Sequence, residues 1–324
     1  VYPPLPALDH LSFIPKAGWD QITLCWEISD DFPPEGNIPN FYQKKVIEDY
    51  DEIMENGFAT LLFNRKISKK TLKISIDDML YRYFELPKKY AQEWRKFAEK
   101  HNVPFTMGGR TTIPFELAMY YRGLEQIVAD VYTQPEKLKE FCEWLLEYEI
   151  VAGLREATIM GAGEVPGAEQ VLFQAGIVGP PYVSPKVFEE FVWPTLKKGV
   201  DMMVKRGYKP HVHMDGDLTS VLPIIRNLAK GLPKGQIVLD LEKTNMAKAK
   251  EILGDRICLY GNVPSSLLVH GTVNDVKKYC KKLIEDCAEG GGFIIATECE
   301  TPWDAKPENV KAIVDSAKEY GKYK

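Results

Sequence analysis

Gly290-Gly291-Gly292-Phe293-Ile294-Ile295-Ala296-Thr297-Glu298-Cys299 is a glycine turn, a short apolar run and then a lone cysteine. The run is too short for a helix, is rich in β-branched residues and is bounded by breakers, so it reads as a buried strand. A second such segment lies upstream, where Lys209-Pro210-His211-Val212-His213-Met214-Asp215-Gly216 places three polar donors at alternate positions near a strand end. Alternate residues of a strand share a face, so His211, His213 and Asp215 project together if the strand persists.

Outward from these two stretches, apolar runs recur between helical patterns. Strands are expected at 21–26, 59–63, 103–107, 170–175, 209–214, 236–240, 257–260 and 292–297. None alternates cleanly, as befits strands covered on both faces. The helix expected at about 135–160 carries Leu138, Phe141, Leu145, Tyr148 and Ile150 at three- and four-residue spacings. Ser184-Pro185 reads as a helix start, with Gly207 closing that helix, and Thr272-Val273-Asn274-Asp275 as a capping box with Asp in place of Glu. Eight strands alternating with helices predict an α/β protein, a single (β/α)8 TIM barrel over residues 21–324 behind an irregular, Pro-rich arm at 1–20. A doubly wound open sheet is the competing architecture. The turn-rich segment Ser29–Asn40 has the composition of a lid loop.

The chain has 324 residues, 45% of them hydrophobic, and a formal net charge of −5, enough apolar content for a large core. The acidic balance and mixed charges argue against a nucleic-acid partner. No stretch approaches the roughly 18 consecutive apolar residues of a membrane span, and no cleavable leader pattern follows Val1. The six cysteines, Cys25, Cys142, Cys258, Cys280, Cys287 and Cys299, form no compact framework and read as reduced thiols of a cytoplasmic protein. Cys142, Cys280 and Cys287 fall in amphipathic patterns as small core residues.

At the mouth of a barrel, where the C-terminal strand ends meet, imidazole, carboxylate and thiolate make a zinc donor set. The candidate ligands are His211, His213, Asp215 and Cys299. Three protein ligands leave the open position that a catalytic metal needs. The competing reading of Asp215 is a helix cap, with Asp217 as rival for that role.

The stretch 209–217 resembles the H-x-C-G-N element of the uroporphyrinogen decarboxylase superfamily. Further similar segments follow in order: Val183–Pro194, Tyr260-Gly261-Asn262-Val263-Pro264, Leu267–Thr272, Gly292–Cys299 and Pro307-Glu308-Asn309-Val310. The resemblance covers about residues 170–315 and implies a (β/α)8 barrel. The superfamily's decarboxylases hold substrate carboxylates with the arginines of an N-terminal R-Q-A-G-R element. Here that region reads Pro15-Lys16-Ala17-Gly18-Trp19-Asp20, without them. The corrinoid-dependent methyltransferase branch binds zinc through the histidine and cysteine of H-x-C and a later cysteine. By resemblance, His213 is the zinc histidine and Cys299 the late cysteine, while Asp215 stands where the first cysteine would be. His211 or Glu298 is the substitute if Asp215 does not serve.

The resemblance therefore implies Zn2+ and a corrinoid (cobalamin) cofactor. No D-x-H-x-x-G signature occurs in the chain, so a separate corrinoid protein is the expected partner, alongside a small-molecule methyl donor. A homodimer is compatible with the resemblance, with no segment specifying an interface. Replacing thiolate by carboxylate leaves zinc more electrophilic, which favours a Lewis-acid role towards oxygen over thiol activation. The leading expectation is O-demethylation: methyl transfer from an aryl methyl ether to the corrinoid protein. A methylcobamide:thiol methyltransferase and a decarboxylase-like lyase are the alternatives. Trp26, near the Ser29–Asn40 loop, is a candidate wall for a methoxylated ring. Glu298 and Glu27 are candidate general acids, and Gln174 and Asn262 candidate substrate-orienting residues.

Overall fold

The computed structural model describes residues 50, 96, 100, 108–160 and 169–322. The expected arm, the expected strands at 21–26, 59–63 and 103–107, and the Ser29–Asn40 loop lie outside these residues. The chain divides within its second described strand into two compact units, one running up to Val171 and the other from Leu172.

In the first unit, β1 (Gly109–Thr112) leads into α1 (Pro114–Arg122), α2 (Leu124–Thr133) and the 26-residue α3 (Pro135–Met160). The long helix has the bounds its periodicity predicts, and Leu138, Phe141, Leu145 and Ile150 are fully buried. The sequence reading missed β1, whose residues Gly-Arg-Thr-Thr carry no apolar run. A carboxylate from α3 holds it instead: Glu149 accepts from the Thr111 hydroxyl at 3.1 Å and the Thr112 amide at 3.0 Å. A buried polar network joins the same layers. Asp130 accepts from Arg122 Nε and the Tyr50 hydroxyl, each at 2.7 Å, and from the side-chain amides of Gln126 and Gln134.

The second unit alternates strand and helix. β2 (Gln170–Ala175) is followed by α4 (Pro185–Val187), a π-turn (Phe188–Val192) and α5 (Trp193–Lys205). Ser184 caps this segment by accepting from Val187 N, as expected, and Gly207 follows it with a φ of 85°. The π-turn is a departure with a local cause: Pro194 has no N–H to donate, and the Trp193 amide reaches back five residues to Phe188. Next come β3 (Lys209–Met214), α6 (Leu222–Ile225), a 3-10 turn and β4 (Val238–Leu241). Then follow α7 (Met246–Leu253), β5 (Cys258–Val263), α8 (Ser265–His270), α9 (Val273–Cys287), β6 (Phe293–Thr297) and α10 (Pro307–Tyr320). The Thr272–Asp275 capping box forms at the start of α9. Cys142, Cys280 and Cys287 are free, buried core residues.

The strands neighbour one another in chain order, β1-β2-β3-β4-β5-β6. Across β3 to β6 the pairing is parallel, with His213 opposite Asp240, Asp240 opposite Tyr260 and Val263 opposite Thr297. Both β2 and β3 keep their predicted bounds. The others shift by one to three residues, most at β5, where Gly261-Asn262 continues the pairing beyond the apolar run. This order separates the two architectures. A doubly wound sheet reverses strand order at a switch point, whereas a (β/α)8 barrel adds each strand beside the last. The described sheet follows the barrel rule, and all four residues of β4 are buried, as a strand covered on both faces requires.

Two stability predictions follow from this packing. Gly261 has a φ of 120°, and an added Cβ would lie 2.7 Å from Leu241 O on β4. Gly261→Val is expected to cost about 1–3 kcal/mol in backbone conformation alone, with the clash added, read as a lower midpoint in urea. At Asp130 burial pushes the carboxyl pKa up, but the Arg122 guanidinium and the surrounding amide and hydroxyl donors outweigh it and hold the pKa well below the usual carboxylate range. The stabilisation is therefore complete above the unfolded value of roughly 3.9 and is lost as pH falls towards the lower folded value. Asp130→Asn should cost about 3–5 kcal/mol at neutral pH and flatten the dependence of melting temperature on pH below about 4.

Candidate metal centre

Three side chains meet at the carboxyl ends of β3 and β6. His213 sits one residue before the end of β3, Asp215 just after it, and Cys299 two residues past the end of β6. One ligand atom from each, a ring nitrogen, a carboxylate oxygen and the thiol sulfur, lies within 4.8 Å of the other two. His213 is buried and the other two are half-buried. His213 Nε2 is 2.9 Å from Asp215 Oδ1, and His213 Nδ1, on the far side of the ring, is 2.8 Å from Asp240 Oδ2.

The backbone explains how Asp215 reaches this position. Its N–H donates to Ala175 O at the end of β2, at 3.2 Å, so the chain is still held to the sheet after β3 ends. Gly216 then turns the chain away with a φ of 87°, where an added Cβ would lie 2.4 Å from Pro180 O. The Gly216 amide donates to Glu242 Oε2 at 2.7 Å, pinning the turn to the segment after β4. Asp217 accepts from Thr219 N at 3.0 Å in a local turn, and Leu218 N donates to the Thr244 hydroxyl. Neither Asp215 nor Asp217 caps the helix that follows, since α6 begins at Leu222 with Val221 at its cap position and no side-chain cap bond. On β6, Glu298 N donates to Val263 O at 2.9 Å, carrying the β5 pairing to the residue before Cys299.

The donor set fits zinc. Asp215 Oδ1 is buried and has no hydrogen-bond partner, although it lies at ion-pair distance from His213. A buried carboxylate oxygen without a hydrogen-bond donor, beside an imidazole nitrogen and a thiol, is what two or three ligands of one cation look like. The field has the right sign. Burial works to lower the His213 pKa, but Asp215, Asp240 and Cys299 outweigh it and push it up to about 12. Groups that hold a proton so firmly between them can hold a cation in its place. Nitrogen, oxygen and sulfur are all donors that zinc accepts.

The other expected site residues are placed differently. His211 is buried, with its ring edge-on to Tyr260 at 5.1 Å between centroids and neither ring nitrogen hydrogen-bonded. It lies outside the converging ligand group, its position on the strand setting it deeper in the sheet. The Asn262 amide donates to Glu242 O and Thr244 O and its side-chain carbonyl accepts from the Tyr279 hydroxyl, so the residue clamps the backbone of the neighbouring loop. Glu298 Oε1 accepts from Ser265 N at 2.8 Å, at the first residue of α8. Gln174 is half-buried on β2, and Glu27 and Trp26 lie outside the described residues. Asp240 was missed. The available signal was an acid inside the otherwise apolar run Ile237-Val238-Leu239-Asp240-Leu241.

Comparison with known proteins places this geometry in a family. The family model described as Uroporphyrinogen decarboxylase (URO-D) matches residues 90–320. A Methylated-thiol–coenzyme M methyltransferase from Methanosarcina mazei is 22% identical over 210 residues, 64% of this chain and 52% of that protein. A Methylcobamide:CoM methyltransferase MtaA from Methanosarcina barkeri is 27% identical over 159 residues, 48% of this chain and 42% of that protein. The chain thus spans about half the length of the curated relatives it matches. A solved methyltransferase from Methanosarcina mazei shares the fold, with a TM-score of 0.66 at 19% identity, covering 98% of this chain and 84% of its own. With the family model spanning well over half of its length, the chain belongs to the uroporphyrinogen decarboxylase family, beside relatives from its corrinoid-dependent methyltransferase branch.

Proposed function

We propose that this protein is a zinc-dependent methyltransferase that moves a methyl group from a methoxylated substrate, an aryl methyl ether, to a corrinoid carried on a separate protein. The observation that carries the reading is the convergence of His213, Asp215 and Cys299 at the strand ends. These three residues would hold zinc, which supplies an electrophile for the heteroatom from which the methyl group departs. The second donor sets the choice of heteroatom. A carboxylate at residue 215 places less electron density on the metal than a thiolate does, so the centre suits an oxygen that must leave with negative charge.

The chain's own residues supply the frame for this chemistry. Cys299, half-buried, brings the soft donor to the outer side of the group, while buried His213 and Asp240 close its inner side. Glu298 and Glu27 remain the proposed acids for the leaving oxygen, and Trp26 and Gln174 the proposed substrate contacts. The second reading is a methylcobamide:thiol methyltransferase. The two relatives described above favour it, being a methylated-thiol–coenzyme M methyltransferase and a methylcobamide:CoM methyltransferase.

Protein purified without chelator is expected to carry one zinc per chain by elemental analysis. Cys299→Ser should lose most of it while melting within a few degrees of the wild type, because the half-exposed thiol contributes little packing. Wild-type protein free of zinc would sink the metal reading. Given a reduced corrinoid protein, the wild type is expected to methylate the corrinoid from a methoxylated aromatic, with Cys299→Ser slower by on the order of 10²-fold or more. Turnover with a methylated corrinoid and a small thiol, but with no aryl ether, would instead select the thiol reading.

A further inference from the structure

Two imidazoles share one buried carboxylate behind the candidate centre. Asp240 lies on β4 directly opposite His213 of β3, with Oδ2 2.8 Å from His213 Nδ1. His211 Nε2 approaches the same oxygen at 3.5 Å, too long for a firm hydrogen bond. Asp240 is 9% exposed, and its second oxygen is buried without a hydrogen-bond partner. Among the described residues its ion-pair partners are the two histidines, with no lysine or arginine beside them. Stability alone argues against such a group, since an apolar residue of similar size commonly replaces a buried ion pair without loss. Its position suggests what it is for. An ionised carboxylate can only accept, so the hydrogen bond requires a proton on His213 Nδ1. When a cation displaces the proton that Nε2 shares with Asp215 Oδ1, the lone pair is left on that nitrogen.

We propose that Asp240 is a positioning residue: it fixes His213 as the Nδ1–H tautomer, aims Nε2 at the space shared with Asp215 and Cys299, and so sets how tightly zinc is held. The inference rests on the zinc reading above and deepens it. Asp240 touches neither metal nor substrate, acting through His213 alone. The negative charge also makes the imidazole a stronger donor, the effect that carboxylate partners have on ligating histidines generally. In-register parallel pairing secures the arrangement, because His213 and Asp240 occupy opposed positions on one face of adjacent strands.

The test uses the full chain. Zinc affinity is measured by competition with a chromophoric chelator for the wild type and Asp240→Asn, alongside melting of both metal-free proteins. Asp240→Asn preserves side-chain size and is expected to bind zinc about 10–100-fold more weakly while keeping its fold. A second measurement needs no variant. In the zinc-loaded wild type, the ¹⁵N shifts of the His213 ring should show Nδ1 protonated and Nε2 bound to metal. Wild-type affinity in a folded Asp240→Asn, or metal on Nδ1, would overturn the inference and leave the zinc reading standing. A wild type that takes up no zinc would bring down both.

Discussion

Parallel register is the constraint on which the site depends. β3, β4, β5 and β6 run side by side in one direction, so their carboxyl ends lie level and the residues that follow them share one rim. That is how Cys299 meets His213 and Asp215, from which it is far removed in sequence. It is also how Asp240 comes to face His213, since a slip of one residue would turn every side chain of a strand to the opposite face. The hydrogen bonds that continue past the strands, from Asp215 N to Ala175 O and from Glu298 N to Val263 O, carry this discipline into the first residues of the loops. A ligand set built on such rails is held by the core rather than by loop conformation.

The chemistry of the set follows from what burial does to charge. Asp240 and His213 are buried, and Asp215 presents a buried oxygen with no hydrogen bond. Such a concentration of anionic groups around one imidazole is costly in an apolar core unless a positive charge sits among them. The imidazole supplies that charge by holding a proton well above its ordinary range. A divalent cation does the same with more charge and with three donors already close, while the thiolate adds affinity for a borderline-soft metal. Fold and electrostatics thus both suit the zinc proposed above, and a carboxylate at 215 would make such a zinc more electrophilic than a thiolate would.

Much of this was legible in the sequence, for identifiable reasons. Strands β2 and β3 and helix α3 declare themselves because their apolar spacing matches the period of the element and breakers bound each one. Zinc was suggested by donor types at alternate positions, which strand geometry converts directly into a shared face. Less was legible where contacts decide. β1 is polar and depends on Glu149 from α3, a partner no local pattern reveals. Asn262 resembles a substrate contact in sequence, yet its amide is engaged by backbone carbonyls of the neighbouring loop. Asp240 stands out in the sequence only as an acid inside an apolar run, and such an acid acquires meaning through the strand beside it.

The contrast between His211 and His213 shows how fine this selection is. Both lie on β3, both are buried, and alternation gives them the same face. Two residues of rise, roughly 6.6 Å, separate them along the strand. That distance carries His213 to the end of the sheet, where Asp215 and Cys299 can reach its outer nitrogen. His211 is left beside Tyr260, opposite Val238 on the neighbouring strand, with no acid in register. Alternation by itself offers no reason to prefer one imidazole over the other, and only the resemblance to the H-x-C element singles out His213. The preference comes from the depth at which the strand ends and from the acid that stands opposite, so the identity of the ligand is a property of strand pairing rather than of the histidine.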